Sequence, residues 1–166
     1  MFVGVKVMKK VLTFTHVFVL LFYLVLIVDL VFFSRGTYRN VNLVPFDMIK
    51  AQGYSVNVWG NVLMFIPLGI YVAYYSRKMN VIKVLLFVIA SSMFIEVMQY
   101  VFKRGATDID DVILNTAGGA IGLGLYGLFY AFFRKRERVD VAIQVVATVI
   151  GLTVFSLTAM VYVYNL

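Results

Sequence analysis

Apolar residues fall in five runs separated by polar stretches, and each run approaches the roughly 20 residues an α-helix needs to cross a bilayer. The runs are Val11–Phe33, Trp59–Tyr75, Val84–Phe102, Val112–Phe133 and Val141–Tyr164. The pattern predicts an all-α fold: a polytopic transmembrane helical bundle of about five spans, forming a single membrane domain over residues 1–166. The first run follows Lys6, Lys9 and Lys10, as a leader would. It is too long for one and ends in "FFSRG" without a small-x-small cleavage site, so a retained signal anchor is expected. Pro67 predicts a kink in the second run. The fifth run, 141–164, carries no buried charge and reads as an accessory packing helix. Between the first two runs, "NLVPFDMIKAQ" mixes apolar and polar residues and predicts a short helix or re-entrant element at the membrane interface.

Composition strengthens the membrane reading. The chain is 63% hydrophobic and 14% charged, with mean hydropathy +0.95. A soluble domain of this length cannot hide that much apolar surface. The absence of Cys excludes disulfides and thiolate metal sites, and a lone His argues against zinc. No metal or cofactor is expected. A net charge of +7 in such a chain reports topology and contact with anionic lipid headgroups, not nucleic acid. Ten of the basic residues fall on one side of the alternating spans: Lys6, Lys9, Lys10, Arg77, Lys78, Lys83, Arg134, Lys135, Arg136 and Arg138. Five fall on the other: Arg35, Arg39, Lys50, Lys103 and Arg104. The ten-charge side should be cytoplasmic, which places the N-terminus inside a multi-pass plasma-membrane protein.

Polar residues within the spans are not scattered. Asp29, Asn61, Glu96, Gln99, Asp111 and Asn115 all fall in the outer half; His16 is the exception and is expected to be packed or interfacial. At 1.5 Å per residue, Glu96 lies roughly 9 Å below the outer edge. Ser92, Glu96, Gln99 and Lys103 share one helix face, and Asp108, Asp111 and Asn115 share another. The short "KRGAT" connection makes the third and fourth spans antiparallel neighbours, with Arg104 between their polar faces and Gly105 allowing the turn. Gly118/Gly122 and Ala120/Gly124 are small-xxx-small pairs suited to close helix approach.

Each of these residues admits two readings. Glu96 could be a general acid or base, or a buried ion pair with Arg104, Arg35 or Arg39. Thr107 and Asp110 resemble a capping box, so Asp110 reads as a cap of its own helix, while Asp108 and Asp111 join the polar face. "DIDD" with Glu96 could also hold a hard cation. Asn61 and Asn115 orient a headgroup or bridge helices. Arg35, Arg39 and Arg104 could bind phosphate or carboxylate through their planar forks, and Arg35 and Arg39 could equally anchor at the interface.

Four segments together resemble the VanZ-like family: "NLVPF", "GNVLMFIPLG", "SSMFIEVMQ" and "RGATDIDDVILNTAGGAIG". The resemblance spans about residues 15–133 and leaves out the fifth span. It implies a small bacterial membrane protein of a family best known for lowering susceptibility to lipidated glycopeptide antibiotics such as teicoplanin. The expected ligand is a lipid, a lipid-linked wall precursor or a lipoglycopeptide met at the outer leaflet. Arg104, Gln99, Asn61, Asn115, Asn42 and Arg39 are the candidate binding residues, and Glu96, Asp108 and Asp111 the candidate catalytic ones. The alternatives are an intramembrane acid–base or metal-assisted hydrolase or transferase acting on an envelope lipid, and a structural envelope protein.

Overall fold

In a computed structural model the described residues are 2–33, 36, 38–53, 55–76 and 80–164. Helices dominate: α1 (Phe2–Val28), the short α2 (Asp47–Gln52), α3 (Val56–Tyr75), α4 (Val81–Phe102), α5 (Ile109–Phe133) and α6 (Arg136–Tyr164). Five stretches, all but the short α2, are long and apolar enough to cross a membrane. Their C-terminal ends fall where the apolar runs end. Their N-terminal ends begin one to several residues earlier than the runs do, because a first helical turn tolerates polar and acidic side chains.

The chain forms two compact units. One consists of α1 and the C-terminal region with α6, packed against each other. Phe18 and Phe22 both meet Phe155 edge to face, with ring centroids 5.6 and 5.0 Å apart. Gly151 lies so close to Val19 that a Cβ would overlap the valine side chain. His16, Val139 and Ile143 are buried in this unit. The accessory fifth span therefore has a specific packing partner, the first helix.

The second unit, Asp29–Ala131, holds α2 to α5. It opens with a π-helical turn, Asp29–Phe33. It also contains an element absent from the all-helical expectation. Strand β1 (Tyr38–Asn42) pairs in parallel with β2 (Arg104–Asp108), Tyr38 opposite Arg104 and Asn42 opposite Asp108. The "KRGAT" segment is thus not a bare turn. Lys103 ends α4 in the left-handed conformation, and Gly105 at φ 95° lets the chain straighten into β2.

Close packing centres on the glycines of α5. A Cβ on Gly118 would overlap the Val62 carbonyl, one on Gly122 the Ile66 carbonyl, and one on Gly69 the Gly119 carbonyl. Gly119 in turn faces Val88 of α4. The Gly118/Gly122 pair admits α3, as small residues do in membrane bundles. The Ala120/Gly124 pair does not serve this purpose, because nothing lies within 4 Å of a Cβ on Gly124. α3 runs through Pro67 as one helix. At one end of the unit, Val58, Val62 and Leu114 form a buried cluster, and Met48 and Ile49 of α2 pack onto it.

Candidate functional site

The N-terminal ends of α3 and α5 and the C-terminal end of α4 bring their polar residues together at the same end of the second unit. Asn61, Ser92, Glu96, Gln99, Asp108, Asp110, Asp111 and Asn115 are all buried there. A buried polar group without a hydrogen bond is costly, so the partners define what each residue does.

Asp108 is the N-cap of α5. Its Oδ1 accepts from the Asp110 N–H at 2.9 Å, and its Oδ2 accepts from Asn42 Nδ2 at 3.2 Å. Asn42 also accepts from the Val44 N–H at 3.0 Å, which closes a tight turn before Pro45. Glu96 Oε2 accepts from the Asp108 N–H at 3.0 Å, and the Glu96 carbonyl accepts from Thr107 Oγ1 at 3.3 Å. Glu96 thereby ties the last turns of α4 to β2. Asn61 Nδ2 donates to Asp111, linking α3 to α5. Asn115 Nδ2 donates to Ser92 Oγ at 2.9 Å, linking α5 to α4. Gln99 Nε2 reaches the Val31 carbonyl at 3.4 Å. Gln99 Oε1 and Asn115 Oδ1 are buried with no hydrogen-bond partner among the described residues.

Asp110 corrects the capping-box expectation. Its carboxylate does not cap α5. It accepts from the Phe46 N–H and, at 2.8 Å, from the Met48 N–H, so it caps α2 across more than sixty residues of chain. The reason is local. Phe46 occupies the N-cap position of α2 and carries no side-chain acceptor, so the orphan N–H groups need one from elsewhere. Thr107, the other half of the expected box, donates to α4 instead. Asp111, expected at the start of its span, lies in the first turn of an α5 that begins at Ile109.

These contacts border a half-open cavity of about 380 Å³ within the second unit. Asn42, Asp47, Met48 and Ala51 line one side; Asn57 and Asn61 of α3, Ala106 and Asp108 of β2, Asp111 of α5 and Gly36 line the rest. Four of the expected site residues, Asn42, Asn61, Asp108 and Asp111, therefore meet at one space. Glu96 stands one hydrogen bond behind it, through the Asp108 backbone. Gln99 and Asn115 lie outside its lining.

Arg104 departs from the expected geometry. Its guanidinium sits 5.8 Å from the ring centroid of Phe33 and does not line the cavity. Among the described residues, none that lines the cavity is Lys or Arg. Arg35 and the Arg39 side chain lie outside the described residues. The acidic run does not assemble as a cation site either: among the described residues, no three of Asp, Glu and His converge as metal ligands. Sequence reasoning missed Met48, Ala51 and Asn57. Met48 could have been suspected, since it lies two residues beyond the recognisable "NLVPF".

Comparison with known proteins agrees with the segments that carry these contacts. No solved structure matches the chain. "Protein VanZ" of Enterococcus faecium is 36% identical over 114 residues, which cover 68% of this chain and 69% of the relative. The family model described as VanZ/LLP1 matches residues 18–131, a range that includes every cavity-lining residue. On that match and that identity, the chain belongs to the VanZ/LLP1 family.

Proposed function

We propose that the protein binds the head of an amphiphile at the outer leaflet of the bacterial plasma membrane, and that this lowers susceptibility to a teicoplanin-type lipoglycopeptide. The amphiphile is a lipid, a lipid-linked wall precursor or the antibiotic itself. One observation carries the reading: a polar cavity of about 380 Å³ at one end of an otherwise apolar bundle, lined by Asn42, Asn61, Asp108 and Asp111. Such a cavity suits a polar head, and the apolar helix surfaces around it suit a tail. Family membership supports the antibiotic part. The asymmetry of ten basic residues against five supports an outward-facing cavity.

In this reading Asn61 and Asp111 contact the head directly, and Glu96 holds the Asp108 backbone in place behind them. The rival reading is an acid–base hydrolase or transferase in the same cavity. It draws on Asp108 and Asp111, the two buried carboxylates in the lining.

Antibiotic susceptibility in a sensitive host tests both. Asp111→Asn and Asn61→Ala should each restore susceptibility part of the way at unchanged membrane abundance. Full resistance in both variants would remove the cavity from the account. An enzyme that needs the acid should lose activity by about 10²–10⁴-fold in Asp111→Asn, whereas a binder keeps part of its function.

A further inference from the structure

The segment before α2 has a second side. While Asn42 and Asp47 face the cavity, Leu43, Val44, Pro45 and Phe46 between them are exposed, the three large apolar side chains by 69%, 58% and 52%. Four consecutive exposed apolar residues are costly in water. Nor is the segment loosely held. Asn42 Oδ1 fixes the Val44 N–H, Pro45 fixes its own φ, and Phe46 sits at φ 64° with its N–H on Asp110.

Its depth follows from what comes next. Met48 and Ile49 pack onto Val58 and Val62 of α3 and Leu114 of α5, residues in the first two turns of two membrane-length helices. The Leu43–Phe46 tip therefore lies level with the ends of two spans, where the lipid headgroup and acyl regions meet. Trp59, half exposed in the first turn of α3, is the residue type that marks this boundary.

We propose that Leu43–Phe46 is a finger inserted into the lipid leaflet at the rim of the cavity. Its apolar side chains lie at the headgroup–acyl boundary, continuous with the lipid-facing surface of the spans. The insertion stands on exposure and depth alone. Its consequence, that an amphiphile enters the cavity sideways from the leaflet along this finger, rests on the ligand reading above.

Tryptophan fluorescence in phosphatidylcholine proteoliposomes tests the insertion. The single native Trp is removed as Trp59→Phe, and the reporter is Leu43→Trp or, in a second variant, Phe46→Trp. The expected result is a blue-shifted emission, quenched by lipids brominated near the glycerol end of the chain and not by aqueous iodide. Quenching by iodide alone would place the finger in water and overturn the proposal. Shielding from both quenchers, with self-association on cross-linking, would place a second copy of the chain there and overturn it equally. The readout needs no ligand. A quenched finger in a protein whose resistance survives Asp111→Asn and Asn61→Ala upholds the insertion and sinks only the ligand reading.

Discussion

Single positions in this molecule act through backbone approach as much as through side-chain chemistry. Gly118 and Gly122 hold α5 against the carbonyls of α3, and any side chain there must push the two helices apart. Gly124, two residues beyond Gly122, faces open space. The two glycines look alike in sequence yet predict opposite outcomes. Gly118→Val should destabilise the protein by about 1–3 kcal/mol through overpacking. Gly124→Ala should be neutral or mildly stabilising, because Ala is the better helix former. Thermal unfolding in detergent reads the difference, and equal effects at both sites would contradict this packing. The aspartates divide in the same way. Asp108, Asp110 and Asp111 are close in sequence, but one caps its own helix, one caps α2 and one meets Asn61.

At the level of elements, the small ones organise the site. The β1–β2 pair and α2 bring the segment around Asn42–Gln52 over the polar ends of α3 and α5, and Asp110 is its hydrogen-bonded anchor at Phe46 and Met48. Asp110→Ala orphans two N–H groups at a cost of about 1–3 kcal/mol each. Amide hydrogen exchange should then rise across Phe46–Gln52 and stay unchanged in α4. Unchanged exchange in α2 would show that Asp110 does not hold it. The long helices were legible in the sequence because an apolar run of bilayer length has few other solutions. So was the gathering of Asn61, Glu96 and Asp111 at one end, since depth along a helix follows from counting residues. The parallel strand pair was not legible. Its partners are 66 residues apart, and neither carries the β-branched alternation of a strand. Asp110 was misread for a related reason: capping rules look along the chain, and its acceptor is needed by N–H groups on another element. The approach of Arg104 to the Phe33 ring was not legible either, because the sequence shows a residue's position and not its direction.

For the molecule as a whole, the central claim is that the cavity of the second unit holds the head of an amphiphile. Ala106 lines this cavity and takes part in none of its hydrogen bonds described above, so Ala106→Trp fills the space without removing Asp108, Asp111, Asn42 or Asn61. Mass spectrometry of the molecules that co-purify with the protein then compares the native chain with this variant, at matched yield and matched unfolding temperature. The account predicts that one amphiphile, with a polar head and a lipid tail, is enriched with the native chain and lost from Ala106→Trp. An identical complement of bound molecules in both proteins would contradict it.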